Sequence, residues 1–144
     1  MIIIGVDVGK QGGVAVLSST GWHTTEKLNF LRKEDVYNYL VKLLKDIQKK
    51  QADREIVFVI CQSFGRGKAK YQHNRFYGIV ELVAEQNNLF TVFESDNTMR
   101  SQYFGKSKGK QQTHDHFKCP TKDESDALLA CHWYFKQIKD DNTN

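Results

Sequence analysis

Asp7 closes a β-branched run, Ile2-Ile-Ile-Gly-Val-Asp7, and Gly9, Gly12 and Gly13 follow directly. A lone carboxylate at the end of a strand, beside a glycine-rich hairpin, does little for a core. It is well placed to hold a metal ion or a phosphate against bare backbone. The same residues also serve a plain hairpin in which Asp7 only caps the turn. A second acidic group lies much later, in Thr121-Lys-Asp-Glu-Ser-Asp126. Thr121 followed by acids is a helix start, because the N-terminal dipole favours carboxylates. Asp123 and Asp126 are spaced to share one helix face. Capping accounts for one acid in such a turn, whereas clustered carboxylates repel unless a cation holds them together.

Elements able to position these groups are legible around them. The run through Asp7 has the unbroken apolarity of a strand covered on both faces, and the glycines turn it into a second run, Val14–Leu17. Gly21-Trp-His-Thr-Thr25 turns into a third short strand. Arg32–Lys50 carries Val36, Tyr39, Leu40, Leu43, Leu44 and Ile47 at helical spacing, a covering helix with no chemistry of its own. Ile56-Val-Phe-Val-Ile60 reads as another interior strand and runs into Cys61-Gln-Ser63. Phe76–Asn88 predicts a helix and Leu89–Phe93 a strand. A short helix near Met99–Phe104 is expected, then a mobile basic loop broken by Gly105 and Gly109. After Pro120, the last helix offers Ala127, Leu128, Ala130 and Cys131 to a sheet. Alternation of interior strands with helices predicts an α/β sandwich.

The 144 residues read as one domain over 1–144, with no repeat and no linker. An apolar fraction of 40% and a charged fraction of 26% are those of a soluble globular protein. No apolar run approaches the roughly 20 residues of a membrane span, and no basic leader or small-residue cleavage pattern marks a signal peptide. Cys61, Cys119 and Cys131 show no metal spacing, so reduced thiols and a cytoplasmic setting, bacterial or phage-infected, are expected. Net charge is +4, and Lys, Arg and His crowd the stretch from Gly65 to Lys118, which points to a polyanion. In Phe64-Gly-Arg-Gly-Lys-Ala-Lys-Tyr-Gln-His-Asn-Arg75, glycine admits a phosphate, basic side chains neutralise it, and Phe64 or Tyr71 can stack on an unpaired base.

Taken together, Ile4-Gly-Val-Asp7-Val-Gly9 with Gly12 and Gly13, the strand Val57–Ile60, and Asp123-x-x-Asp126-Ala-Leu resemble the RuvC-like Holliday junction resolvases of the RNase H-like superfamily. The resemblance spans almost the whole chain. It implies an RNase H-like fold: a five-stranded mixed sheet, an antiparallel meander of three strands plus parallel strands, flanked by helices. It implies a homodimer that binds four-way DNA junctions and nicks two opposed strands. It also implies two Mg2+ ions per active site, with Mn2+ able to substitute, bridging the scissile phosphate. Asp7, Asp123 and Asp126 would be their ligands, and Glu124 either points away or substitutes as one. Arg66, Lys68, Lys70 and Arg75 would contact phosphates, Phe64 or Tyr71 would stack near the branch point, and Arg100, Lys106, Lys108 and Lys110 would contact the arms. His114 and His116 read as solvated loop histidines, with a general-acid or phosphate-contact role as the alternative.

One departure matters. The family carries a catalytic Glu at the strand end where this chain has Cys61. A thiol is a poor magnesium ligand, and Gln62 should face the other side of the strand. The expectation is a nuclease weakened or inactive for want of that ligand, or a non-catalytic module that binds branched DNA. A nuclease for RNA–DNA hybrids and a transposase core are further readings. A sugar kinase of the actin-like superfamily shares the Asp-glycine hairpin but needs a duplicated domain, for which this chain is too short.

Overall fold

Ile2–Asp7 forms β1, buried along its whole length. The structure, a computed structural model, describes residues 1–8, 11–29, 32–52, 54–62 and 68–144, and for 68–73 the backbone only. A strand covered on both faces belongs in the middle of a sheet, and β1 is the third of five, in the order β3-β2-β1-β4-β5. β2 (Gly12–Ser18) and β3 (His23–Leu28) continue it as an antiparallel meander. β4 (Ile56–Gln62) pairs with it in parallel on the other side, and β5 (Phe90–Ser95) follows β4 in parallel. This is the mixed sheet the resemblance implied.

The strand period of two sends alternate residues to opposite faces, and each face has its own core. Ile2, Ile4 and Val6 pack with α1 (Lys33–Lys50) and α2 (Lys68–Gln86). Ile3, Val57, Val59 and Cys61 pack with Met99 of α3 (Asp96–Phe104), Phe117 of α4 (Lys110–Phe117) and Ala127–Cys131 of α5 (Lys122–Thr143). Val36, Leu40 and Leu44 are the buried stripe of α1, as their spacing predicts. α2 begins earlier than expected, at Lys68, so the basic segment through Arg75 makes its first turns. Tyr77, Val80 and Val83 of this helix lie in the core while its Leu82 is exposed, as are Phe90 on the edge strand β5 and Trp22 before β3.

Of the basic stretch after Phe104, expected as a loop, residues 105–109 connect two helices and Lys110–Phe117 is helical. Gly105 ends α3 with φ +84°, Gly109 precedes α4 with the same value, and α4 then runs to Phe117. Thr113 is its single buried residue, so no apolar stripe announces this helix in the sequence.

Two glycines let the sheet and α5 touch backbone to backbone. A Cβ on Gly5 would collide with the Ala127 carbonyl oxygen and lie 2.8 Å from the Cys131 sulfur. A Cβ on Gly13 would lie 2.6 Å from the Asp123 carbonyl and the Glu124 nitrogen. Gly13 is also the β2 partner of Asp7. The glycine hairpin therefore seats the first turn of α5, with its acids, directly beside Asp7. Gly13→Ala is expected to cost about 1–3 kcal/mol by overpacking, read by urea unfolding. Gly78→Ala, on the exposed face of α2 with open space around it, should instead gain about 0.5–1 kcal/mol. A neutral Gly13→Ala would show that α5 can lift from the hairpin without penalty.

Candidate active site

Asp7, at the end of β1, stands in register with Gly13 of β2 and Cys61 of β4. The start of α5 is fixed by a reciprocal cap: Thr121 Oγ1 accepts from the Glu124 backbone N–H at 3.2 Å and donates to Glu124 Oε2 at 2.8 Å. Glu124 Oε1 accepts in addition from Thr25 Oγ1 of β3 at 3.1 Å. Glu124 thus ties helix to sheet and is turned away from Asp7; of the two orientations expected for it, this is the structural one.

The acids that remain converge on a cation of the chain itself. Lys110, the first residue of α4, places its Nζ 2.7 Å from Asp123 Oδ1, 3.2 Å from Asp126 Oδ2 and 3.4 Å from Asp7 Oδ2. Lys110, expected along the DNA arms, is instead the counter-ion of the acidic cluster. Its ammonium is held more basic than usual: burial alone would lower it, and Asp7, Asp123 and Asp126 together outweigh that. Burial pushes the Asp7 carboxyl up to about 8; Lys110 opposes this, while Asp126 and Asp123 add to it.

Arg100, the other expected arm contact, is only 2% exposed. Its Nη2 donates to both oxygens of Asp126, at 3.1 and 3.2 Å, and to Asp96 Oδ2 at 3.2 Å. Nη1 donates to Asn97 Oδ1 at 3.3 Å and Nε to the buried Thr113 Oγ1 at 3.2 Å. One guanidinium therefore joins α3, α4 and α5, and every nitrogen has a partner. A buried arginine so engaged cannot reach a phosphate from this position. Asp126 is itself fully buried, and that burial raises its pKa against the pull of Arg100 and Lys110.

Cys61 lies 1% exposed on the same sheet face as Asp7. Burial first, then Asp7, Asp126 and Asp96, push its thiol well above the ordinary range, while Arg100 pulls the other way. The thiol is neutral and contributes no charge to the cluster. Gln62, next along β4, is half-buried and alternates to the other face.

The expected DNA contacts are scattered. Lys106 and Lys108, before α4, are exposed, as is Arg75 on α2. Lys68, Lys70 and Tyr71 lie on the first turns of α2, where only the backbone is described, and Phe64 and Arg66 lie outside the described residues. His114 and His116 sit on α4: His114 Nδ1 is 3.2 Å from Ser125 Oγ, and His116 packs edge-on against Phe104 and Phe117. With the Lys110 ammonium among the carboxylates, no group of three or more His, Cys, Asp or Glu among the described residues is arranged to hold a metal ion.

No protein-family model and no curated protein matches this sequence. Solved structures do. RuvC of Thermus thermophilus superposes with a TM-score of 0.60 at 13% identity, over 95% of this chain and 96% of that one. The structure of T. thermophilus RuvC in complex with Holliday junction substrate gives 0.61 at 12% identity over the same shares. The yeast mitochondrial Holliday junction resolvase Ydc2 gives 0.50 at 10% identity, over 92% of this chain and 76% of that one. Identities this low establish the architecture: the chain has the RNase H-like fold of RuvC.

The raised pKa of Asp7 makes a prediction about stability. Its folded carboxyl binds a proton up to about pH 8 and its unfolded one only to about 3.8. Between those values the native state holds the extra proton, so this group's contribution to stability falls as pH rises. Asp7→Asn should flatten that slope and stabilise the metal-free chain at pH 8 by on the order of 1 kcal/mol, measured by urea unfolding at several pH values. A destabilised Asp7→Asn at pH 8 would mean that its bond to Lys110 outweighs the burial of charge.

Proposed function

We propose that this chain is a structure-selective DNA endonuclease of the resolvase type, acting on four-way junctions through a divalent metal ion. The observation that carries this reading is the convergence of Asp7, Asp123 and Asp126 on one cation position at the end of the sheet. Acids on a DNA-facing surface repel phosphate unless a cation intervenes. Their hard oxygens suit Mg2+, with Mn2+ as a substitute, and the Lys110 ammonium stands in for such an ion among them. Bound there, the ion supplies an activated water and a counter-charge for the departing oxygen of a phosphodiester.

The residues of the chain do the positioning. Arg100 fixes the rotamer of Asp126 through both its oxygens. The Thr121–Glu124 cap and the contact with Gly13 fix where Asp123 starts. Exposed Arg75, Lys106 and Lys108 offer positive charge to the DNA backbone, which confers affinity without sequence information. We extend the reading to a single nuclease domain over 1–144, to a cytoplasmic homodimer, and to Leu82 and Phe90 as the apolar surface open to a second copy. No helix among the described residues is long and apolar enough to cross a membrane.

A second reading is favoured by one observation, the buried neutral Cys61 beside Asp7. It makes the chain a junction-binding module with a weakened or silent centre. The two separate in a cleavage assay on four-way junctions in Mg2+ and in Mn2+, comparing the chain with Cys61→Glu. The expected outcome is tight binding by both, with cleavage at least about tenfold faster in the Glu variant, worth roughly 1.4 kcal/mol of barrier. Cleavage by neither, with binding intact, would establish the module; preference for an RNA–DNA hybrid or linear duplex would overturn the junction reading.

A further inference from the structure

We propose that the groove between the end of α3 and the outer side of α4 takes one unpaired base of a DNA strand, and that Asp115 makes it prefer a base with an exocyclic amino group, cytosine over thymine. The inference rests on the DNA-binding part of the reading above and on no metal ion.

Helix α4 has two sides with different work. Lys110 meets the acids, Thr113 meets Arg100, His114 meets Ser125, and Phe117 packs in the core. Gln111, Gln112, Asp115 and His116 share the other side by their spacing, and packing accounts for none of their polar groups. With Phe104 and Lys108, all four line a groove of about 570 Å3, a volume in the range of small-ligand sites. Two rings border it: Phe104 and His116 stand 5.2 Å apart with their planes at 76°. Tyr103 holds Phe104 from one side at 5.0 Å, and Phe117 holds His116 at 4.7 Å. A flat base laid on one ring would turn its edge toward the other, and both arrangements are favourable between aromatic systems.

The polar groups of the groove are held in place with one atom of each left over. Gln112 Oε1 accepts from the Lys108 backbone N–H at 2.9 Å, and among the described residues its Nε2 has no partner. Asp115 Oδ1 accepts from Gln111 Nε2 at 2.7 Å, while Asp115 Oδ2 has no partner among them. A fixed donor and a fixed carboxylate acceptor suit the edge of a base with an amino group, as acids accept from the cytosine amine. Thymine has only a carbonyl at that position, and a carboxylate repels it. The occupant is a strand rather than a free base because of what flanks the groove. Lys106 and Lys108 are exposed, and neither pairs with a carboxylate among the described residues. Asp115 lies five residues beyond Lys110, about 7–8 Å along the helix, so backbone charge and base edge meet different ends. The acids of the candidate active site lie across the same helix, whose first residue touches them.

The experiment titrates short labelled single strands of oligo-deoxycytidine or oligo-deoxythymidine with the intact chain, at neutral pH in EDTA, read by fluorescence anisotropy. The cytosine strand should bind about fivefold more tightly. Asp115→Ala should abolish that preference, whereas His116→Ala should weaken both strands about fivefold through lost stacking. Lys108→Ala should weaken both evenly and lower the salt dependence by about one unit of slope. All three side chains are exposed, and circular dichroism checks that each variant keeps the fold. Equal binding of the two strands, or a preference that survives Asp115→Ala, would overturn the inference and leave the resolvase reading standing if four-way junctions still bind. No binding of either strand or of a junction would overturn both. Tighter binding of the RNA strand oligo-cytidine would give the groove to RNA and overturn the DNA occupant.

Discussion

Carboxylates crowded into a buried volume stay together only where positive charge stands against them, and here the chain supplies that charge from its own helices. Asp7, Asp123 and Asp126 share Lys110, and Asp126 and Asp96 share Arg100. The two cations are built differently. Arg100 is a planar fork bonded to several elements at once, which suits a permanent position. Lys110 is a flexible point charge at a helix start, partly open to solvent. The placement of α3 and α4 follows from these pairs: α4 has little apolar surface to hold it, and its buried Thr113 accepts from the guanidinium.

That charge balance would be pointless without close backbone approach. Bare backbone at Gly5 and Gly13 allows α5 to lie on β1 and β2 nearer than any side chain would permit. Helices ordinarily rest on a sheet through a layer of side chains. Removing that layer at two places lets the first turn of α5 lie against the hairpin and brings its acids to the end of β1. The desolvation that raises the pKa of Asp7 is the electrostatic consequence of the same contact.

The parts of this arrangement legible in the sequence are those set by local rules. β1 and β4 are readable because interior strands are apolar on both faces. That Asp7 ends a strand and that Asp123 and Asp126 share a helix face are readable locally, whereas their meeting is legible only through the family resemblance. Glu124 is legible in part, since Thr121-x-x-Glu124 has capping-box spacing, and in the structure Thr121 Oγ1 caps the Glu124 backbone N–H and donates to its carboxylate. Lys110 and Arg100 were misplaced for a physical reason. A basic residue in a polar stretch looks the same whether it faces solvent or a buried acid, and which it faces depends on how α3 and α4 pack. The spacing of Asp96 and Arg100, four apart, was the one local hint of a pair. α4 left no trace because its one buried residue is the polar Thr113 and its apolar contact comes only at its last residue, Phe117, so no apolar period marks it.

Cys61 and Arg100 make sense as two halves of one electrostatic solution. A glutamate at the strand position beside Asp7 would add another buried negative charge to a cluster whose acids are already pushed upward by burial and by one another. The thiol removes that charge while keeping a compact group in the core, and it packs with Val59 and Met99 as a small hydrophobe does. The guanidinium then balances the acids that stay, Asp126 and Asp96. A site relieved in both ways needs less positive charge from outside to be stable, and for the same reason it attracts less. The lysine can therefore close it in the absence of an ion, and whatever cation enters must bind more favourably than a residue already in place.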